Sequence, residues 1–280
     1  MASSVLEKIE DWPVPHAGVA VLNPDGVLGI RGHHLHEFRL ASISKVITAM
    51  AVLVAVEEGT LDLDEPAGPS GSTVRHLLAH ASGLGFEPGS SQLSPPGARR
   101  IYSNEGVEVL ARHLAEAADM TFDEYLRLAV IDPLGMTATM LRGSPAAGIC
   151  SNLQDMTRFV AELVSPTLIA PKTAEAMRTV QFPGLPGVLP GVGRFADLAW
   201  GLGVEIKGDK TPHWSGSLIS PRTFGHFGGS GTYLWVDPEQ ALDCVMLADR
   251  EFDEWGMQYW PEFNDLVVST YGVGATYGQT

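Results

Sequence analysis

The apolar run from Val46 to Val56 constrains the fold more than any other part of this sequence. Its length and composition predict a buried helix that ends near Gly59. Because a bilayer span needs roughly 20 apolar residues, the run predicts a core helix and not a membrane span. Ser42 is placed to cap this helix, and a Glu or Gln three residues later would complete a capping box. Lys45 stands there instead, against the positive end of the helix dipole, so we expect its amine to have a different purpose.

Composition limits the possible partners. The 280-residue chain has a formal net charge of −15 and a pI of about 4.9. This acidity argues against binding to nucleic acid or to an anionic membrane surface. The first residues, MASSVLEKIEDWPVP, lack the basic region and apolar core of a signal peptide, and the two cysteines (Cys150 and Cys244) form neither a metal spacing nor a disulfide framework. We expect a cytoplasmic protein without a cofactor, of open oligomeric state.

Strand patterns occur near both ends of the chain. Apolar runs flank the segments Asn23–Gly26 and Asp237–Gln240, and each pair of runs predicts a β-hairpin. The Pro/Gly-rich residues 182–193 predict a crossing between domains, and the alternating WGLGVEI that follows them predicts a strand. The segment QYWPEFNDLVVSTYG predicts a closing helix.

Helical patterns occupy the middle of the chain. Asn104 is a candidate cap for the helix in NEGVEVLARHLAEAAD, and capping boxes are predicted for Thr121 with Glu124 and for Ser151 with Gln154. Strands at both ends with helices between them predict an α+β protein. The expected domains are a sheet domain from residues 1–62 and 190–280 and a helical domain from residues 63–189.

Three short segments carry possible chemistry. Ser42 and Lys45 are three residues apart, so on a helix they share a face, and a desolvated lysine can lose its proton and accept one from a hydroxyl. Alone, this spacing often arises by chance, and a helix cap with a surface lysine would also account for it. The further segments are Tyr102-Ser103-Asn104 at a helix entry and His226-Phe227-Gly228 before a predicted strand.

With these three segments in this order, the chain resembles the serine β-lactamase and penicillin-binding-protein superfamily. Tyr-x-Asn in the second place makes it most similar to class C β-lactamases and family VIII carboxylesterases. The strings STVRHLLAHASGL and VIDPLGMTATM are also similar to stretches of this group, and the resemblance covers roughly residues 16–250. It implies an antiparallel sheet flanked by helices, an inserted all-helical domain and an active site in the cleft between them.

The resemblance also implies a role for each residue. Ser42 would be the acylated nucleophile, Lys45 its proton acceptor, and Tyr102 a general base or acid whose phenolate is favoured by the Lys45 ammonium. The implied substrate-binding residues are Asn104, His226 and Gly228. The oxyanion hole would be formed by the backbone N–H groups of Ser42 and Gly229, which would stabilise the developing charge.

One departure from the family pattern bears on the substrate. His226 stands where β-lactamases usually carry a lysine, and a neutral imidazole binds a carboxylate less strongly than an ammonium does. We therefore expect a carboxylesterase acting on small or medium acyl esters. Alternatives are a D-aminopeptidase, an acyltransferase, a weak class C-like β-lactamase and a non-catalytic binding protein. The partner is then a small ester or amide. The segment HHLHE offers His34 and His36 but no third metal ligand, so no metal is expected.

Overall fold

The centre of the computed structural model, which describes residues 5–273, is a six-stranded sheet. Its strands are β1 Ala17–Asn23, β2 Gly26–Gly32, β9 Glu205–Ile206, β10 Phe224–Gly228, β11 Thr232–Asp237 and β12 Leu242–Ala248. They run antiparallel in the order β2-β1-β12-β11-β10-β9. Because β1 pairs with β12 in the register Ala17↔Ala248, the sheet joins the two ends of the chain.

Both predicted hairpins are present, and side-chain oxygens close their turns. The Asn23 carboxamide oxygen accepts hydrogen bonds from Asp25 N and Gly26 N, each at 3.0 Å. In the β11–β12 hairpin, Asp237 Oδ1 accepts from Glu239 N at 3.0 Å and Gln240 N at 3.2 Å. Short polar side chains that bond the backbone two or three residues later favour turns.

The sheet is covered on both faces, which explains why its central strands are almost uniformly apolar. Alternate residues of a strand point to opposite faces. On β11, Leu234 and Val236 belong to one hydrophobic core, whereas Tyr233 and Trp235 belong to another on the opposite face.

Seven α-helices lie within residues 5–273. They are α1 Ser44–Glu57, α2 Val74–Leu78, α3 Asn104–Ala118, α4 Phe122–Leu126, α5 Leu153–Val164, α6 Pro171–Met177 and α7 Glu254–Tyr271. Helix α1 is buried from Ser44 to Ala55 in the first core, and the chain leaves it through Gly59 at φ 75°, as the apolar run predicts. The predicted closing helix is α7, which packs Trp260 and Phe263 into the second core.

Two small sheets fix the segments that lead to Ser42 and to Tyr102. One contains β3 Phe38–Arg39, β5 Met140–Leu141 and β6 Ile149–Ser151, in the order β3-β6-β5. The other contains β4 Arg100–Ile101, β7 Gly187–Leu189 and β8 Gly193–Phe195, in the order β4-β7-β8. Strand β3 ends three residues before Ser42, and β4 ends directly before Tyr102.

The predicted cap of α1 is wrong. Residues Ala41–Ile43 form a 3-10 turn, and the α-helix begins only at Ser44 without a side-chain cap. The hydroxyl of Ser42 is therefore not used to bond the first helical turn. Tertiary contacts account for this difference, because neighbouring strands hold the backbone that precedes the helix.

Two other predicted caps are displaced by one residue. Ser103, not Asn104, caps α3 by accepting from Gly106 N at 2.8 Å. Asn152, not Ser151, caps α5 by accepting from Asp155 N at 2.9 Å. In both places two side chains that can cap a helix are adjacent in sequence, and at α5 the Ser151 hydroxyl is instead hydrogen-bonded to Thr139 Oγ1 at 2.7 Å. The Thr121–Glu124 capping box opens α4 as predicted.

Residues 182–193 contain more strand than predicted, and residues 200–206 contain less. The Pro/Gly-rich part contains β7 and the start of β8, whereas WGLGVEI forms a strand only at Glu205–Ile206. Gly203, at φ 83°, turns the chain before β9. The domain boundaries at residues 62 and 190 stay a prediction. Among the helices of residues 5–273, none combines the length and apolarity needed to cross a membrane.

Candidate active site

The backbone around Ser42 is held by the ends of β10 and β11. Thr232 Oγ1 donates to Leu40 O at 3.0 Å, and Ser230 Oγ donates to Arg39 O at 2.5 Å. A Cβ at Gly228 would lie only 2.2 Å from Leu40 O, so glycine is required where β10 approaches this segment. The strand edge thus determines where the Ser42 turn sits.

Lys45 is bonded to the Ser42 hydroxyl inside the protein. Its Nζ donates to Ser42 Oγ and to Ala146 O, each at 3.0 Å, and the side chain is 2% exposed. Burial lowers the pKa of Lys45 to about 7, against a small opposing effect of Glu108. A large fraction of the amine is therefore neutral near pH 7 and able to accept a proton.

Tyr102 lies between Lys45 and His226. Its hydroxyl lies 2.8 Å from His226 Nε2, and Lys45 Nζ lies 4.9 Å from the centre of its ring. Burial raises the pKa of Tyr102, although a hydrogen bond with Ser42 partly lowers it. The expected phenolate is therefore not favoured in the resting protein: burial outweighs the hydrogen bond with Ser42, and Tyr102 is a neutral phenol.

His226 is a neutral, buried imidazole. Burial and the nearby Lys45 lower its pKa to about 3, outweighing the opposite effect of Glu205. Its Nδ1 has no hydrogen-bond partner among residues 5–273 and lies 4.0 Å from Glu205 Oε2. A proton on Nδ1 faces this carboxylate favourably, which leaves Nε2 to accept from the Tyr102 hydroxyl.

Glu205 is a buried carboxylate that the sequence analysis missed. It accepts from His213 Nε2 and Trp214 Nε1, each at 2.9 Å, and Lys210 Nζ lies 3.4 Å away. Burial raises the pKa of Glu205, but Lys210, His213 and the nearby His226 outweigh it and lower the pKa to about 2. Its partners lie within nine residues in sequence, yet nothing in that local pattern shows that they face His226.

Aromatic rings enclose Tyr102. The rings of His80, Trp200 and Phe86 lie 4.8, 5.7 and 5.9 Å from the tyrosine ring, respectively. His80 Nδ1 also accepts from Ser103 N at 3.2 Å. These contacts place His80 behind the tyrosine.

Two cavities meet at Tyr102, and one of them is lined by Ser42. The first, of about 260 Å³, is lined by Ser42, Tyr102, His226 and Gly229 and by six further residues, which are Phe86, Leu189, Pro190, Gly191, Phe227 and Phe252. The second, of about 410 Å³, shares Phe86, Tyr102 and Pro190 with the first and adds Arg99, Arg100, Ile101, Pro186, Gly187, Val188 and Arg194. The first cavity combines an apolar wall with the polar atoms needed for acyl transfer.

Two of the predicted substrate-binding residues, Asn104 and Gly228, lie away from the cavities. Asn104 N donates to Phe86 O at 2.9 Å, and its Oδ1 is buried without a hydrogen-bond partner among residues 5–273. Neither Asn104 nor Gly228 lines the two cavities. For Gly228, the close approach to Leu40 is a sufficient reason for its identity.

Comparison with known proteins agrees with this geometry. A model of the beta-lactamase family matches residues 33–269. The chain belongs to the beta-lactamase family. The crystal structure of a beta-lactamase from Mycobacterium bovis is 46% identical, with a TM-score of 0.94, and the comparison covers 96% of this chain and 100% of that one. The β-lactamase fold implied by the sequence resemblance is thereby confirmed.

Other members of the family have different names and match shorter segments. Penicillin-binding protein 4* from Bacillus subtilis is 28% identical over 134 residues, which are 36% of this chain and 30% of that protein. Esterase EstB from Burkholderia gladioli is 35% identical over 111 residues, which are 35% of this chain and 26% of EstB. The chain thus aligns with less than a third of each of these two proteins.

The Glu205–Lys210 pair should be needed for stability. We expect Glu205→Gln to lower the free energy of unfolding by about 3–5 kcal/mol, because Lys210 then stays buried without its counter-ion. Adding Lys210→Met to this variant should restore most of the loss. Urea unfolding checks both, with the exposed Glu116→Gln as the control. Wild-type stability in the single variant would show that the pair contributes little.

Proposed function

We propose that this protein is a serine hydrolase that forms an acyl-enzyme on Ser42 and acts as a carboxylesterase on small or medium acyl esters. The observation that carries the proposal is the hydrogen bond between Ser42 Oγ and Lys45, whose burial lowers its pKa to about 7, at an apolar cavity of about 260 Å³. A nucleophile joined to a base that is neutral near physiological pH is what acyl transfer requires.

The acylation step uses Lys45 and Tyr102, which both hydrogen-bond to Ser42. Neutral Lys45 takes the Ser42 proton while Oγ forms a bond to the ester carbonyl carbon. The carbonyl oxygen becomes an oxyanion facing the backbone N–H groups of Ser42 and Gly229, two residues that line the cavity. When the intermediate collapses, the C–O bond to the alcohol breaks, and the Tyr102 hydroxyl protonates the leaving alkoxide. Tyr102 then regains a proton from the Lys45 ammonium.

Deacylation returns the site to its starting state. A water molecule loses a proton to Lys45 and attacks the acyl carbonyl, and the bond from the acyl carbon to Ser42 Oγ breaks. The lysine proton then returns to Oγ. His226 and Glu205 orient the Tyr102 hydroxyl before it gives up its proton, since His226 Nε2 lies 2.8 Å from it and Glu205 Oε2 lies 4.0 Å from Nδ1.

Ester substrates suit this site better than β-lactams. Burial lowers the pKa of His226 to about 3, so its ring is neutral, and its Nε2 is engaged by Tyr102. The position where β-lactamases usually carry a lysine thus offers no cation for a substrate carboxylate. Esters are also easier to cleave than amides and tolerate this loss. The second candidate is β-lactam hydrolysis, which the 46% identity to the M. bovis beta-lactamase favours.

The second cavity suggests an anionic group on the substrate. Nine of the thirteen arginines form ion pairs with carboxylates, and Arg100 donates to backbone carbonyls. Arg99 and Arg194 have no ion pair within residues 5–273, yet both line this cavity. In a chain of net charge −15, two unpaired arginines beside the reaction centre favour a carboxylate-bearing substrate arm.

Removing Ser42 or Lys45 should abolish ester turnover, because nucleophile and base act as one unit. The assay uses p-nitrophenyl esters from acetate to octanoate, nitrocefin and a D-alanine p-nitroanilide, with Ser42→Ala and Lys45→Ala beside the exposed controls Ser91→Ala and Lys172→Ala. We expect Ser42-dependent ester cleavage. Faster nitrocefin or D-amide cleavage would favour the alternative hydrolases, and a serine that resists every substrate and a fluorophosphonate probe would favour a non-catalytic binder.

The rate of Ser42 acylation should rise as pH increases through about 7. Below this value Lys45 holds its proton and cannot accept another, whereas above it the neutral amine predominates. Stopped-flow acylation by a p-nitrophenyl ester between pH 5 and pH 9 measures this rise in rate. The acylation rate of Lys45→Arg, which stays charged throughout, should show no such rise. A flat wild-type profile would exclude Lys45 as the titrating base.

Arg99 and Arg194 should matter only for anionic substrates. We expect Arg99→Ala and Arg194→Ala to lower kcat/KM for the mono-p-nitrophenyl ester of glutaric acid about tenfold, as loss of a charged hydrogen bond predicts. The neutral ester of valeric acid should be cleaved as before. Arg222→Ala is the matched control, since Arg222 lines neither cavity and has no ion pair among the described residues. Equal losses on both esters would contradict the anionic arm.

A further inference from the structure

Three side chains converge at one end of the central sheet, and none of them lines the Ser42 cavity or the neighbouring arginine-lined cavity. His16 directly precedes β1, Asp249 directly follows β12, and His36 lies in the segment between β2 and β3. Together they present two imidazole nitrogens and one carboxylate oxygen, all within 4.8 Å of one another.

The distances are those of a nearly assembled metal site. His16 Nδ1 lies 2.6 Å from Asp249 Oδ2, and His36 Nε2 lies 3.8 Å from the same oxygen. At the usual zinc–ligand distances, tetrahedral donor atoms are separated by about 3.3 Å, so each of these two separations would change by less than about 1 Å on binding. The side chains of His16, His36 and Asp249 are 40%, 34% and 29% exposed, which leaves an entry path for an ion.

Strand pairing fixes the backbone beside His16 and Asp249. Ala17 and Ala248 are paired across β1 and β12, which places His16 and Asp249 side by side. His16 N also donates to Asp249 Oδ1 at 2.8 Å. The ring of His36 packs edge-on against Phe38 of β3, with the ring centres 4.6 Å apart. The donor atoms are therefore preorganised by the sheet and not by a flexible loop alone.

A third imidazole lies at the same place. The ring centre of His33 is 4.8 Å from that of His16 and 6.0 Å from that of His36, and His33 N donates to Ala17 O at 2.9 Å. Three imidazoles and one carboxylate thus crowd into one corner of the surface. Sequence reasoning considered His34 with His36 and found no third ligand; the fold supplies His16 and Asp249 from distant parts of the chain.

We propose that His16, His36 and Asp249 bind a zinc ion, with His33 close enough to contribute a fourth ligand. Two neutral imidazoles and a carboxylate are a donor set that zinc accepts readily. On binding, the proton that His16 Nδ1 shares with Asp249 leaves Nδ1 and Nε2 carries the ring proton, so Nδ1 offers its lone pair and Asp249 exchanges a hydrogen bond for a metal bond. The ion would join the ends of β1 and β12 to the segment that leads through β3 towards Ser42.

Calorimetric titration of the whole chain with zinc sulfate tests the site. We expect one ion per chain in the wild type and at least tenfold weaker binding in His16→Ala and His36→Ala. Losing a residue that only supports a metal ligand typically weakens binding tenfold or more, and losing a ligand itself should cost no less. Asp249→Asn is the conservative variant if either alanine substitution impairs folding. The matched control is His34→Ala, since His34 belongs to the same segment but not to the cluster.

Thermal unfolding gives an independent measurement. Zinc should raise the Tm of the wild type and of His34→Ala, because an ion that binds only the folded state stabilises it, and should leave the Tm of the cluster variants unchanged. Absence of zinc binding to the wild type would overturn the proposal. Equal binding by all variants would overturn it too, since the ion would then be held by other histidines.

Discussion

The desolvation of one lysine amine is the constraint on which the site depends. Lys45 lies in a helix whose other buried side chains are mostly apolar. Within residues 5–273, its Nζ meets only Ser42 Oγ and Ala146 O at hydrogen-bond distance. Burial disfavours the ammonium and brings the pKa to about 7. The apolar run that builds the core thus also makes the base. An amine at the same place on an exposed helix would stay protonated at neutral pH.

The same desolvation acts on every neighbour, which is why the site contains neutral groups. Burial raises the pKa of Tyr102 and lowers that of His226, so the phenol and the imidazole both stay uncharged and share one hydrogen bond. The buried negative charge of Glu205 persists because Lys210, His213 and Trp214 supply a cation and two donors. Charge is admitted only where such partners compensate its lost hydration.

The strands position these groups relative to one another. Strand β10 carries His226 and brings Gly228 against Leu40, so that the Ser42 turn is set by backbone packing. Strand β4 delivers Tyr102 from a separate small sheet, and β9 delivers Glu205. Parts of the chain more than one hundred residues apart therefore meet within a few ångströms. The same principle gathers His16, His36 and Asp249 at another end of the sheet.

The sequence alone determined the local features and the family. Turn-forming Asn23 and Asp237, the apolar helix and the Thr121–Glu124 box act over a few residues, and the order of Ser42, Lys45, Tyr102 and His226 pointed to the β-lactamase family. Only the tertiary structure decided which adjoining residue caps α3 and α5, that Tyr102 is a neutral phenol, and that Glu205 faces His226. These depend on burial and on contacts between distant segments, and no short stretch of sequence encodes how much water each group loses on folding.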